Sequence, residues 1–357
     1  MRVVYSKRPY PTATMRSKSR PPDIATDPFR ERSAPVSRRR LRLLGGTFEF
    51  ECESLLLQRL VDAAFAGLPP LRLPRGARDF RVRVALAPRA RRPRRADAPR
   101  IDMLAGAGFL SASTSQADFA VVSPEQRAAL VVLSPRMLRF PYHARYELIE
   151  FVVFTLAARG QGLVPLHAAC VGERGRGVLL MGDSGAGKTT AALHCLLQGL
   201  EFVSEDSVFV TPDTLLATGI ANFLHVRTDS LASIPRTIAA TLRRSPVIRR
   251  RSGVRKFEID LRGGGFRLAT TPLRIVAIVF ISARTARTAR LLTPLRHGAA
   301  LRRLAAAQGY AANQPLWGRF KRSVGRIPAV ELRRGRQPAD AVAALRSLLA
   351  ATTTHGR

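Results

Sequence analysis

Two periods run through the hydrophobic and polar positions of this chain, and they separate strands from helices. Residues 46–52 (GTFEFEC) alternate with period two, as do residues 80–84 (FRVRV), which Ala85 and Leu86 extend. Residues 119–122 and 128–133 predict a hairpin around Pro124-Glu125-Gln126-Arg127. Helical spacing appears over 55–65 and again over 146–158, where Leu148, Ile149, Val152, Val153, Leu156 and Ala157 share a face. Together these predict a small α+β domain over residues 41–158. Before it, residues 1–40 hold Pro, Ser and Arg without sustained periodicity, a composition that predicts a disordered basic, Pro-rich extension. Prolines at 9, 11, 21, 22 and 28 break any long amphipathic helix there.

From residue 159 the pattern changes to alternating strands and helices. Residues 164–171 and 177–181 predict paired strands joined by the polar turn 172–176. A helix with Ala191, Ala192, Leu193, Leu196 and Leu197 on its packing face follows over 188–198. Further strands are expected at 200–206, 208–210, 257–261 and 275–281, and residues 328–332 precede a last helix at 338–349. This is an α/β pattern, and residues 159–351 form its expected domain.

The chain has 357 residues, 46% of them hydrophobic, enough for two packed domains. A net charge of +34 would ordinarily point to nucleic acid or anionic lipid. The basic residues are, however, almost all arginine, with five lysines (Lys7, Lys18, Lys188, Lys256 and Lys321), and they are spread throughout. No zinc-finger spacing, helix-turn-helix pattern or aromatic-interleaved basic patch accompanies them, so no specific nucleic-acid partner is expected. An acidic protein or peptide partner fits the charge equally well. Cys52, Cys170 and Cys195 lack metal spacing and lie in apolar surroundings, as buried thiols of a cytoplasmic protein do. No signal-peptide core opens the sequence, and no apolar run is long enough to span a membrane.

The chemistry concentrates at Gly182-Asp183-Ser184-Gly185-Ala186-Gly187-Lys188-Thr189, a complete phosphate-binding loop between a predicted strand and a predicted helix. Its glycines let backbone N–H groups curl around phosphates, and the helix N-terminus adds a favourable field. Lys188 is expected to reach the β- and γ-phosphates of ATP and the Thr189 hydroxyl to hold Mg2+, with Thr190 beside them. One helix and one strand later come Glu205 and Asp206. A β–helix–β unit brings both segments to the same sheet edge, so one carboxylate can hold magnesium while the other orients or deprotonates a hydroxyl. His167, in an otherwise apolar stretch, is placed to meet the transferred phosphoryl group or to hydrogen-bond Asp206.

Leu166-His167-Ala168, the loop ending Gly187-Lys188-Thr189, and Phe202-Val203-Ser204-Glu205-Asp206 resemble segments of the HPr kinase/phosphorylase family, with matching separations. The resemblance implies a P-loop fold shared with ATP-type phosphoenolpyruvate carboxykinase, and ATP-dependent phosphorylation of a serine on a protein or precursor peptide. It further implies Lys188 on the phosphates, Asp206 as general base, His167 as its companion, and Thr189, Glu205 and Asp206 at the metal. Assembly into a homo-oligomer is part of the same expectation. The family's second acidic, glycine-rich signature has no clear match; Asp213 and Asp229 are the nearby acids. Its later catalytic arginine has loose counterparts in Arg227, Arg255 and Lys256. Without that signature the reverse, phosphorolytic reaction is not expected. Two other readings remain open: a small-molecule kinase, and a nucleotide-binding regulatory module without catalysis.

Overall fold

Alternation builds the first sheet. In the computed structural model, which describes residues 37–74, 76–87, 98–114, 117–183 and 185–352, strand β1 (Ser37–Leu43) turns back into β2 (Gly46–Cys52). The tight link uses Leu44 and Gly45, both at positive φ, where glycine carries no steric penalty. β1 therefore starts four residues inside the expected extension, whose residues 1–36 lie outside the described residues, as do the Arg-rich run 89–95, Ser184 and His355. Helix α1 (Leu55–Phe65) follows, its first turn capped by Ser54 Oγ accepting from the Leu57 N–H at 3.3 Å. The crossover returns the chain as β3 (Asp79–Leu86), parallel to β2. Two hairpins complete the sheet: β4 (Asp102–Gly106) with β5 (Phe109–Ser113), and β6 (Phe119–Ser123) with β7 (Ala128–Leu133). The strand order β1-β2-β3-β7-β6-β5-β4 leaves β4 at the edge.

The inward positions of these strands, Phe48, Phe50, Val82, Val84 and Val131, are fully buried against α1 and a second helix, α2 (residues 141–160). Phe48 stacks on Phe80 with ring centroids 4.7 Å apart, and Phe50 on Phe65 at 5.6 Å. Truncating one such ring to alanine costs about 3–5 kcal/mol. α2 is not uniform. Ala144–Ile149 and Leu156–Gly160 are π-helical, interrupting α-helical Pro141–His143 and Glu150–Thr155. The widened turns close with Glu150 N–H to Arg145 O and Gln161 N–H to Leu156 O. The helix begins five residues before its apolar periodicity, at Pro141, whose fixed φ suits a first turn.

The second sheet has nine strands. β8 (Val164–Leu166), β9 (Ala169–Glu173) and β10 (Arg176–Met181) precede helix α3 (Lys188–Leu197), after which come β11 (Glu201–Ser204), β12 (Val208–Val210) and β13 (Leu216–Gly219). A separate three-stranded antiparallel sheet holds β14 (Phe223–Val226), β15 (Val247–Arg249) and β16 (Arg255–Asp260). Long β17 (Leu273–Thr285), then β18 (Leu292–Pro294) and β19 (Ala329–Arg334), finish the large sheet, and helix Asp340–Ala351 packs on it. β17 is parallel to both β10 and β19, giving a mixed α/β sheet.

One predicted strand is divided. The apolar run 164–171 splits at His167-Ala168 into β8, which pairs with β12, and β9, which pairs with β10 and β11. At the break, buried Gln308 substitutes for a strand partner: its Oε1 accepts from the His167 N–H at 2.7 Å, and its Nε2 donates to the His167 carbonyl at 3.0 Å. A side chain far along the sequence thus satisfies the backbone that a ladder would otherwise claim. All three cysteines are buried and free, and burial pushes their thiols up, Cys52 to about 11, so they are packing groups and not nucleophiles. Among the described residues no helix is long and apolar enough to cross a membrane.

Candidate active site

β9 is antiparallel to both β10 and β11, so β10 and β11 run in the same direction and their C-terminal ends open on one edge. The phosphate loop leaves β10 there, and Glu205-Asp206 leave β11 beside it. Gly182, Gly185 and Gly187 all take positive φ, at 156°, 82° and 108°. A Cβ on Gly182 would also lie 3.0 Å from the Ile281 carbonyl. Gly187 is the N-cap of α3 and offers no side chain, so the first N–H groups of the helix face the cleft uncapped. Lys188 folds back over the loop, Nζ donating to the Gly182 carbonyl at 2.6 Å. Burial holds its pKa below the usual lysine value, against the opposing pull of Asp206, Asp183 and Glu205. Asp183, Gly185, Gly187, Lys188, Thr189 and Thr190 all line one cleft of 510 Å3; Ala186 lines an adjoining one of 320 Å3.

Glu205 and Asp206 are adjacent but separate in role. Glu205 is buried; its Oε2 accepts from the His225 N–H at 2.6 Å, and its Oε1 lies 3.5 Å from Thr189 Oγ1. Burial raises its pKa. Asp206 turns the other way. Its Oδ1 is 3.1 Å from His167 Nδ1, and its Oδ2 accepts from Arg250 Nη2 at 3.4 Å. The contact between His167 and Asp206 read from the sequence is present, although His167 sits in an exposed break between strands and not within one.

Arg250 is the residue the sequence did not single out. It follows β15, in the turn to β16, and its Nε is buried without a hydrogen-bond partner among the described residues. Of the expected cationic candidates, Arg227 and Lys256 line the cleft and Arg255 does not. Asp229 also lines it, paired with Arg227 at 3.2 Å, whereas Asp213 is engaged by Arg319 elsewhere. His194, on α3, hydrogen-bonds Ser233 at 3.0 Å and stays clear of this cleft.

Behind Glu205 lies a buried polar chain that begins in the first region. Arg145 of α2 donates to Glu258 of β16 and stands 3.9 Å from Glu150. Glu258 in turn is 3.3 Å from His225 Nε2, and Asn222 links Glu150 to the Ala64 carbonyl of α1. Tyr142 and Tyr146, stacked with centroids 5.5 Å apart, stand nearly perpendicular to the His225 ring. The first region therefore supplies struts behind the Glu205 loop. Buried charges persist only when paired and hydrogen-bonded in this way.

The donor set suits a magnesium–triphosphate guest. Among the described residues no three His, Cys, Asp or Glu side chains gather into a self-sufficient metal site. A hydroxyl and one carboxylate, Thr189 and Glu205, are what Mg2+ ordinarily takes from a protein when phosphate oxygens and water complete its shell. The glycine cradle, the open helix N-terminus, Lys188 and Arg250, whose Nε has no partner among the described residues, could together surround a bound phosphate with positive charge. Ser184 of the loop is outside the described residues.

No family model matches the chain. Over 75 residues it is 37% identical to an HPr kinase/phosphorylase of Lachnoclostridium phytofermentans, a match covering 20% of this chain and 23% of that protein. The chain is thus distantly related, over part of its length, to a kinase/phosphorylase.

Proposed function

We propose that this protein is an ATP- and magnesium-dependent phosphotransferase that moves the γ-phosphoryl group of ATP to a serine hydroxyl of a protein or peptide. The observation that carries this reading is Asp206, held between His167 and Arg250 at the mouth of the phosphate-loop cleft. Lys188 and the loop amides hold the phosphates, and Thr189 and Glu205 hold magnesium. Bound magnesium supplies charge neutralisation between the phosphates. Glu205 is the carboxylate beside Thr189, whereas the Asp206 oxygens face His167 and Arg250, so we assign the metal to Glu205 and the proton to Asp206. It accepts the serine proton as the serine oxygen bonds to phosphorus and the bridging oxygen departs with ADP. His167 fixes the orientation of the carboxylate, and Arg250 adds positive charge next to the transferred group.

Labelled ATP and Asp206→Asn test this directly. Transfer to serine-bearing peptides and proteins is expected to fall about 10²- to 10⁴-fold, the usual contribution of a general base, while ATP affinity stays within a few-fold. An unchanged rate would remove Asp206 from the base role. Tight ATP binding by the unaltered chain, with no transfer to any acceptor, would make this a nucleotide-binding module instead.

A further inference from the structure

On the side of Asp206 away from the phosphate loop the surface opens into a second, larger cavity of 680 Å3. His167 and Asp206 line both cavities, so the two meet at the carboxylate. The chemistry changes abruptly across that boundary. Phe151 and Phe154 of α2, Leu166 of β8 and Phe209 of β12 form an apolar floor. Met103 and Leu104 of β4 and Tyr310 of the short helix Gly309–Ala312 form the rim, at 64%, 70% and 54% exposure. Exposed large apolar side chains gathered around one opening mark a surface that is covered in use.

The edge strand says what kind of partner covers it. Met103, Leu104 and Ala105 are consecutive, and all three border the cavity. Leu110 and Ser111 of β5 border it as well, so the cavity lies against the β4–β5 hairpin, whose outer strand is β4. β4 pairs with β5 on one side, and among the described residues no strand pairs with its other side. Its position is fixed from the catalytic side. Arg251, next to Arg250, donates to Glu147 of α2 at 2.7 Å and also to the carbonyls of Ala98 and Pro99, just ahead of β4. An unpaired edge above an apolar floor accepts an extended backbone, whose amides complete the ladder while alternate side chains enter the cavity.

We infer that this groove is the acceptor site, and that its occupant is an extended peptide segment lying along β4 with apolar residues flanking the serine that reaches Asp206. The inference rests on the phosphotransferase reading for the role of the serine, but not for the binding itself. In the transfer the serine oxygen–phosphorus bond forms, the bond between the γ-phosphorus and the bridging oxygen of ATP breaks, the proton passes to Asp206, and ADP leaves.

The test measures binding separately from transfer, on the full chain. The probes are fluorescently labelled twelve-residue peptides with one central serine, flanked by leucines in one, by glycines in the second and by lysines in the third, each also made with alanine for serine. Polarisation is expected to show the leucine-flanked pair binding at least tenfold more tightly than the others, alanine version included. Leu104→Asp and Tyr310→Asp, both at exposed positions and so tolerated by the fold, are each expected to weaken that binding at least tenfold and to leave ATP affinity unchanged. Ala105→Pro, which blocks edge pairing, is expected to do the same. Equal affinity for the three flanking types, or binding indifferent to all three variants, would overturn the groove assignment even if Lys188-dependent transfer to another acceptor were observed. Binding with these dependences but no transfer would sustain the groove and defeat the kinase reading. Capture of a small alkyl alcohol by the groove, with no peptide bound, would overturn the peptide assignment.

Discussion

The two sides of Asp206 are built by opposite means. The phosphate-loop side is polar, and one continuous segment, the loop after β10 together with α3 and β11, supplies its glycines, Lys188, Thr189 and both carboxylates. The groove side is mostly apolar and draws on elements scattered along the chain: β4, β5, α2, β8, β12 and the helix Gly309–Ala312. Phosphate recognition needs backbone N–H groups at fixed spacing, which a continuous segment provides best. An apolar groove needs only surface area and shape, which any neighbouring elements can supply. The first kind of site is therefore written locally in the sequence, and the second exists only after folding.

Substitutions on each side should expose that asymmetry. The largest effect is expected from Lys188→Ala: phosphoryl transfer falls by about 10³-fold or more, since a preorganised cation on the developing charge is lost, while binding of the leucine-flanked peptide is unchanged. A parallel loss of peptide binding, read by polarisation, would show that the two sides are not independent. Next comes Glu258→Ala, in the struts shared by both regions. It leaves Arg145 buried beside Glu150 alone, and denaturant unfolding should report a loss of about 3–5 kcal/mol. A change below 1 kcal/mol would mean that the buried chain does not join the two regions.

The smallest effect is a pH dependence. Burial raises Glu150 to about 6 against the partial opposition of Arg145, so the folded chain holds this proton over a window, about 4.5 to 6, in which the unfolded chain has released it. The contribution of the group to stability is therefore fully present below that window and declines as pH rises through it, by about 2 kcal/mol in all. Glu150→Gln keeps a hydrogen-bonding group but cannot titrate. The stability difference between variant and parent, measured by urea unfolding at pH 4.5 and pH 7, should shift in favour of the variant at the higher pH. A difference independent of pH would contradict the raised pKa.

Particular residues show how far the sequence could be read. Residues 46–52 and 80–86 form strands because alternation at a half-buried sheet leaves one solution, and the loop context at 177–198 is equally unambiguous. The run 164–171 reads as one strand by composition, and only Gln308 arriving from the other end of the chain divides it. Arg250 illustrates the opposite difficulty. It is the middle of Arg249-Arg250-Arg251 in an arginine-rich chain, where nothing in composition marks one guanidinium from another. The turn after β15 sends Arg250 to Asp206 and Arg251 to Glu147. The edge strand β4 is not legible in the sequence, because its five residues are all exposed and carry no burial period.

The widened turns of α2 have a consequence for how this protein can vary. A π-helical turn holds one residue more than an α-helical turn, so Ala144–Ile149 shifts the faces of the helix on either side of it out of ordinary register. Because of that shift, Arg145 and Tyr146 reach the polar struts while Phe151 and Phe154 face the apolar floor. Deleting a single residue in this segment would let the helix relax to an uninterrupted spiral and rotate one set against the other by roughly a quarter turn or more. Point substitutions there change one contact at a time; a one-residue deletion would uncouple the polar and apolar halves of the helix at once. Length, and not only residue identity, is what this stretch of the chain must preserve.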